Sequence, residues 1–111
     1  MSKPQRVFVA GHRGMVGSAL VRALRAQSDN PQQDSQTELV LRSHQELDLL
    51  DEAKVAAFFA SHAIDTVYLA AARVGGIQAN HTYPAEFIRQ NLMIQANVIH
   101  QAWRHRVRRL L

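Results

Sequence analysis

Three glycines, Gly11, Gly14 and Gly17, constrain this chain more than any other feature of its sequence. The apolar run Val7–Ala10 comes just before them and is long enough for a buried strand but too short for a helix. Apolar residues then recur at helical spacing, at Met15, Val16, Leu20, Val21 and Leu24. This order predicts a strand, a tight turn and a helix, because glycine lets the backbone turn sharply and approach a ligand closely.

A turn of this kind can bind the pyrophosphate of a dinucleotide. The start of the helix offers free N–H groups and a positive dipole end to an anion. The third glycine also lets the helix pack close to the strand. The spacing is G-x-x-G-x-x-G rather than the commoner G-x-G-x-x-G. A glycine-rich turn without a ligand is the alternative, but the flanking strand and amphipathic helix favour dinucleotide binding.

The composition is that of one small globular domain. The chain has 111 residues, of which 47% are hydrophobic and 20% are charged, so it can bury a real core. It has no cysteine, which excludes disulfides and thiolate metal sites. The six histidines show no metal-ligand spacing, and we expect no metal. No stretch approaches membrane-spanning length and no signal-peptide pattern is present, so we expect a soluble cytoplasmic protein.

The net charge of +4 and the pI of about 10.3 raise the question of an anionic partner such as nucleic acid. Much of the excess lies near the end of the chain, in Arg104, Arg106, Arg108 and Arg109. Aromatic residues are few and do not alternate with basic ones as a single-strand binding surface requires. A solvated helix end, where cations suit the dipole, is therefore favoured over nucleic-acid binding.

A second strand is predicted at Glu38–Arg42, after the polar loop Ser28–Thr37. In nucleotide-binding folds an acidic residue at the end of this strand accepts hydrogen bonds from the ribose 2′-hydroxyl and repels a 2′-phosphate. Here the strand ends in Arg42, and Arg13 in the glycine turn is directed at the same region. Guanidinium groups match phosphate oxygens, so the sequence predicts NADP rather than NAD.

The rest of the chain continues the alternation of helices and strands. We predict a helix at Glu52–Ser61 with Asp51 as its N-cap, and a third strand at Asp65–Ala72. A loop follows at Arg73–Thr82, and Pro84 then lies in the first turn of the last helix. A fourth strand opens at Val107–Leu111. The fold class is α/β, a partial Rossmann-type doubly wound parallel sheet, with an expected strand order of 3-2-1-4.

Several residues could serve either a ligand or the fold. Asp48 could accept from the adenine amino group, although its spacing favours a surface acid. Ala70, Ala71 and Ala72 end a strand with small side chains that leave room for a ligand above the sheet, or they simply pack tightly. Asn91 is a poor helix-interior residue and could face either a cofactor or solvent.

Three segments carry a resemblance to one family. GHRGMVGSA (11–19), YLAAARVGGIQANHTYPAEFI (68–88) and QNLMIQANVIHQA (90–102) resemble the N-terminal part of the GDP-L-fucose synthases, which are extended short-chain dehydrogenases/reductases. The glycine turn is shared across that superfamily, whereas the VGGIQAN loop is far more discriminating. Arg73 stands where the family carries Lys, and this difference keeps the charge.

The resemblance implies an NADPH-dependent enzyme that epimerises GDP-4-keto-6-deoxymannose at carbons 3 and 5 and then reduces its 4-keto group, giving GDP-L-fucose. The implied cofactor-binding residues are Gly11, His12, Arg13, Gly14, Met15, Val16, Gly17, Arg42, Asp48, Leu49, Ala70, Ala71, Ala72 and Asn91. The implied residues beside the nucleotide sugar are Val74, Gly75, Gly76 and Asn80.

The resemblance places the family's catalytic Ser, Tyr-x-x-x-Lys pair, Cys and His beyond the fourth strand. Neither Tyr68 nor Tyr83 has Lys four residues later, so we expect no catalytic residue here. Residues 1–111 are thus expected to be the first part of an NADP-binding domain of a homodimeric parent, inactive on its own. The alternatives are a non-catalytic NADP-binding module or sensor, another nucleotide-sugar epimerase of the superfamily, or a basic binding protein.

Overall fold

The computed structural model describes residues 4–28, 37–71 and 84–111. Four strands and three helices alternate within these ranges: β1 (Gln5–Ala10), α1 (Met15–Ser28), β2 (Thr37–Val40), α2 (Glu52–Ser61), β3 (Thr66–Leu69), α3 (Pro84–Arg104) and β4 (Arg109–Leu110). The α/β class predicted from the sequence is confirmed. In these ranges no helix is both long enough and apolar enough to cross a membrane.

The four strands form one parallel sheet in the order β2-β1-β3-β4. The predicted order 3-2-1-4 is therefore wrong, because β3 pairs with β1 and not with β2. The crossover through α1 carries the chain to one side of β1, and the crossover through α2 carries it back to the other side. Residues Val7–Ala10 of β1 are at most 2% exposed, which suits a central strand buried on both faces. The expectation that the last strand lies at an edge is confirmed.

Alternate residues of β1 face two separate cores, as the pleat of a strand requires. Phe8 packs on one face against Phe58 and Phe59 of α2, with ring centroids 4.7 and 6.0 Å away. Val98 of α3 belongs to the same cluster. Residues Val7 and Val9 pack on the opposite face against Val21 of α1. Helices thus cover both faces of the sheet, which is the doubly wound arrangement.

Three strands are shorter than the sequence predicts, and one of them is β4, which covers Arg109–Leu110 of the expected Val107–Leu111. β2 ends at Val40, opposite Phe8, and not at Arg42. β3 ends at Leu69, opposite the last residue of β1, and not at Ala72. The end of β3 follows from its partner, because β1 ends at Ala10, whereas β2 ends while β1 still continues through Val9 and Ala10. The predicted loops at 28–37 and 73–82 lie largely outside the described residues.

The predicted N-cap of α2 is confirmed, and it supplies a test of local stability. Asp51 is extended, and its side chain accepts a hydrogen bond from the Lys54 N–H at 3.1 Å. We expect Asp51→Ala to lower the free energy of unfolding by about 1 kcal/mol, the usual effect of losing such a cap. Asp51→Asn keeps an oxygen acceptor and should retain most of the stability that the cap provides. Urea unfolding of the two variants measures this difference, and equal losses would contradict the capping role.

Candidate functional site

A cavity of about 510 Å³ opens at the carboxyl ends of β1 and β3. The crossover from β1 leads to β2 and the crossover from β3 leads to β4, in opposite directions along the sheet, and open α/β sheets bind their ligands at such a switch point. The lining includes the turn after β1, the segment after β2, the end of β3 and one residue of α3: Phe8, Ala10, Gly11, His12, Arg13, Gly14, Met15, Val16, Arg42, Ser43, His44, Leu47, Asp48, Leu49, Leu50, Ala70, Ala71 and Ile94.

Gly11 is the point at which the turn after β1 meets the end of β3. Its φ is +87°, a conformation that residues with a β-carbon rarely adopt. A β-carbon there would also lie 2.7 Å from both the Cα and the N of Ala71. Only glycine can therefore connect β1 to the turn while the two strands remain paired.

Gly17 and Gly14 have different roles. A β-carbon on Gly17 would collide with the Gly11 carbonyl oxygen and lie 2.9 Å from the His12 Cα, so this glycine fixes how closely α1 approaches the turn. Gly14 is exposed, and a β-carbon there would lie 3.5 Å from the Gly11 oxygen, an ordinary contact. The fold therefore has room for a side chain at Gly14, and that side chain would occupy the mouth of the cavity.

The first turn of α1 presents polar and apolar groups side by side. The Ser18 N–H donates to the Gly14 carbonyl oxygen at 2.8 Å. The N–H groups that precede it in the helix have no acceptor one turn earlier. Met15 and Val16 are 90% and 63% exposed. The sequence counts both among the apolar positions of α1, but in the structure they line the cavity mouth while Val21 is buried.

Arg42 reaches the cavity from the segment that follows β2. Its Nη1 donates to the Leu41 carbonyl oxygen at 2.8 Å, and its Nη2 lies 3.1 Å from Nε2 of His62. Its guanidinium carbon also lies 5.6 Å from the centre of the Phe58 ring, a cation–π distance. Arg13 lines the same cavity from the glycine turn and is exposed. The two cations predicted to act together thus line one cavity.

The turn that follows Arg42 is closed by two reciprocal hydrogen bonds. The Ser43 N–H donates to the Glu46 carboxylate at 2.7 Å, and the Glu46 N–H donates to the Ser43 hydroxyl at 3.2 Å. This is the S-x-x-E capping box. The backbone and hydroxyl of Ser43 are the main causes that lower the pKa of Glu46, and the nearby Arg42 and Arg13 lower it further.

The segment between this turn and α2 forms another wall of the cavity. Asp48 is half-buried, and its Oδ1 accepts from the Leu50 N–H at 3.0 Å and lies 3.9 Å from Nδ1 of His44. Leu49 packs against the core, and its carbonyl oxygen accepts from the Asn97 side-chain amide of α3 at 2.8 Å. Asn97 thereby ties this wall to the longest helix.

Most of the residues singled out in the sequence therefore line one cavity, with some exceptions. Gly17 supports the turn from behind. Asn91, on α3, is not among the lining residues in the part of the chain that the structure describes. The predicted site residues that lie outside the described ranges are Ala72, Val74, Gly75, Gly76 and Asn80. Their expected roles stay predictions.

Several lining residues were not predicted from the sequence, namely Ser43, His44, Leu47, Leu50 and Ile94. The S-x-x-E pattern at Ser43 could have indicated a capped turn directly after the second strand. Ile94 is one of the apolar residues that recur at helical spacing in α3. That spacing is the same for residues that pack in the core and for residues that line a cavity.

Comparison with known proteins supports the resemblance given by the motifs. Residues 7–111 match the family described as the NAD dependent epimerase/dehydratase family. The whole chain is 60% identical to a GDP-L-fucose synthase of Escherichia coli (strain K12) and 54% identical to a putative GDP-L-fucose synthase 2 of Arabidopsis thaliana. The chain spans 32% of the length of each, about one third.

A solved structure shares the fold over nearly the whole chain. The GDP-mannoheptose C4 reductase of Campylobacter jejuni, with NADP bound, superposes with a TM-score of 0.83 at 39% identity. The match covers 99% of this chain and 32% of the reductase. The Rossmann-type fold expected from the sequence is confirmed.

The pKa of Glu46 gives a test of the capped turn beside the cavity. Because its folded pKa is lowered from the ordinary value of 4.5, Glu46 contributes stability above that value, and the contribution is lost as the pH falls through the folded pKa. We expect Ser43→Ala to raise this pKa toward 4.5 by removing the side-chain hydrogen bond of Ser43. A titration of the Glu46 side-chain carbon by NMR measures both values, and an unchanged pKa in the variant would contradict the assignment.

The glycines of the turn give a second test, which separates folding from ligand binding. Gly14→Val should leave the fold intact but abolish dinucleotide binding, because the branched side chain would fill the place where a phosphate approaches the backbone. Gly17→Val should instead prevent folding through its collision with the Gly11 oxygen. Circular dichroism and a cofactor fluorescence titration separate the two outcomes. If folded Gly14→Val still bound the dinucleotide, the binding site would not lie at this turn.

Proposed function

Since this chain belongs to the NAD dependent epimerase/dehydratase family, we propose that residues 1–111 are the cofactor-binding part of an NADP-dependent GDP-L-fucose synthase. The observation that carries the proposal is the cavity at the switch point, which has the glycine turn on one wall and Arg42 on another. Identity of 60% to a GDP-L-fucose synthase over all 111 residues supports the same assignment.

The proposed cofactor is NADP. Arg42 and Arg13 line the region where the adenosine ribose is expected, beyond the end of β2. Guanidinium groups bind phosphate oxygens with charge-assisted hydrogen bonds, so both would favour a 2′-phosphate. The related GDP-mannoheptose C4 reductase, whose structure contains NADP, supports this choice.

The other residues of the cavity divide into two groups in this proposal. The turn Gly11–Gly17 and the start of α1 receive the pyrophosphate, since they offer backbone N–H groups without a bulky side chain at Gly14. Asp48 and Leu49 lie beside the adenine, while Ala70 and Ala71 keep the end of β3 low enough for the cofactor to pass above it.

The proposed reaction converts GDP-4-keto-6-deoxymannose into GDP-L-fucose, by epimerisation at carbons 3 and 5 and reduction at carbon 4. Bound NADPH supplies the hydride for the reduction. The described residues of this chain bind and orient the cofactor, and none of them is assigned a proton-transfer role. By resemblance, the segment that contains Val74, Gly75, Gly76 and Asn80 borders the sugar, and Ala72 and Asn91 contact the cofactor.

A reductase of another GDP-linked keto-sugar is the second candidate. The observation that favours it is the 39% identity to the GDP-mannoheptose C4 reductase. Both candidates share the cofactor and the class of substrate, and the curated relatives at 54–60% identity favour the fucose product. The cytoplasmic location and the homodimeric parent expected from the sequence stay predictions.

The cofactor assignment is tested by Arg42→Ala. We expect the chain to bind NADPH more tightly than NADH, and the variant to lose affinity for NADPH alone. Charge-assisted hydrogen bonds of this kind contribute about 1.5–3 kcal/mol, so the NADPH dissociation constant should rise by about 10- to 100-fold. Isothermal titration calorimetry with each cofactor measures the two effects separately.

Arg6→Ala is the matched control. Arg6 pairs with Glu38 at 3.3 Å near the amino ends of β1 and β2, whereas the cavity lies at the carboxyl ends. The substitution removes one positive charge without touching the cavity, so the ratio of the two dissociation constants should stay the same. Equal losses for NADPH and NADH in Arg42→Ala would show that Arg42 is structural and would overturn the NADP assignment.

A further inference from the structure

His62 follows the last residue of α2 and is bound to that helix in two ways. Its backbone N–H donates to the Phe58 carbonyl oxygen at 3.1 Å, and its ring Nδ1 lies 2.9 Å from the same oxygen. The ring also stacks on the Phe58 ring, with centroids 4.6 Å apart and an angle of 27° between the planes. Phe58 thus fixes the plane of the imidazole through both its carbonyl oxygen and its ring.

These contacts assign the tautomer of His62. A carbonyl oxygen can only accept, so Nδ1 must carry the hydrogen that it donates to Phe58. A guanidinium can only donate, so the Nε2 atom that lies 3.1 Å from Nη2 of Arg42 must be an unprotonated acceptor. The geometry therefore requires a neutral imidazole, since an imidazolium would bring an N–H and a second positive charge against Arg42.

The guanidinium of Arg42 is held on three sides by these neighbours. The Leu41 oxygen and the His62 ring each take one of its hydrogen bonds, and the Phe58 ring lies beneath its carbon atom. In the described part of the chain these hydrogen bonds use two of its five N–H donors. The remaining donors are available to a phosphate from a guanidinium whose plane is already fixed.

We propose that His62 is a positioning residue for the cofactor preference, because its neutral Nε2 orients the Arg42 guanidinium toward the 2′-phosphate. The inference rests on the proposed binding of NADP. It goes further by assigning the preference to a pair of residues rather than to Arg42 alone. His62 is not among the described residues that line the cavity, so its proposed role is exerted through Arg42.

The chain contains a matched control for His62. His105 lies one residue beyond α3, and both its N–H and its Nδ1 are 3.0 Å from the Gln101 oxygen, one helical turn earlier. It too stacks on a phenylalanine, with its centroid 6.2 Å from that of Phe59. Among the residues that the structure describes, no arginine is hydrogen-bonded to its ring. Replacement of His105 removes a similar helix-end contact but leaves Arg42 alone.

The test compares two ligands that differ only in the 2′-phosphate, namely adenosine 2′,5′-bisphosphate and adenosine 5′-monophosphate. In His62→Leu we expect the affinity for the bisphosphate to fall by about three- to tenfold, the effect of one lost hydrogen bond, with no change for the monophosphate. His62→Gln offers a neutral oxygen acceptor and should retain most of the ratio. His105→Leu should leave the ratio as it is in the unmodified chain.

Rescue by His62→Gln is a readout that a merely structural role would not give, because glutamine restores an acceptor for Arg42 but not the ring that stacks on Phe58.

The outcomes separate this inference from the function on which it rests. If the unmodified chain binds both ligands equally, the NADP proposal fails and the role of His62 fails with it. If Arg42→Ala loses the ratio while His62→Leu keeps it, Arg42 acts alone and only the inference is overturned. An equal loss for both ligands in His62→Leu also overturns it. Should that variant not fold, as judged by circular dichroism, His62→Phe keeps a ring against Phe58 but lacks the acceptor, and a retained ratio in that variant would overturn the inference.

Discussion

The close approach of the β1–α1 turn to the end of β3 is the constraint on which this structure depends. Parallel pairing places Ala10 opposite Leu69, so the residue that follows β1 must turn away immediately beside the backbone of the next strand. Gly11 does so at φ +87°, with no room for a β-carbon against Ala71. Gly17 then brings α1 onto the same turn. The close backbone contacts of Gly11 and Gly17 thus fix the strand, the turn and the helix relative to one another.

The cavity follows from this packing together with the divergent crossovers of the sheet. Because α1 leads from β1 to β2 and α3 leads from β3 to β4, the connections separate above β1 and β3 and leave a space at their carboxyl ends. The small residues Ala70 and Ala71 keep that space open on the β3 side. A ligand that entered the cavity would remove the exposed apolar surface of Met15 and Val16 from water, which favours binding. The cavity is therefore a consequence of the topology, and the side chains around it determine its chemistry.

Local features of this fold could be predicted from the sequence, whereas long-range ones could not. Val7–Ala10 and the capped helix that begins after Asp51 follow from short patterns that depend on neighbours in the chain. The strand order does not, because no local pattern states on which side of β1 a crossover returns. The contact of Arg42 with His62 joins residues 20 positions apart and depends on how α2 packs. The cavity position of Met15 likewise depends on where the sheet ends, and helical periodicity carries no such information.

An acidic residue beside two arginines looks unsuited to a phosphate site, and the hydrogen bonds of Glu46 resolve this difficulty. Its pKa is lowered first by the Ser43 backbone N–H and next by the Ser43 hydroxyl, while Arg42 and Arg13 are smaller causes. The carboxylate is thus bound mainly within its own turn and takes no hydrogen bond from Arg42, whose described partners are Leu41 and His62. A neutral imidazole and a carbonyl hold that guanidinium without neutralising its charge. An arginine held by neutral partners keeps its full attraction for an incoming phosphate, whereas one paired with a carboxylate would have to break that pair first.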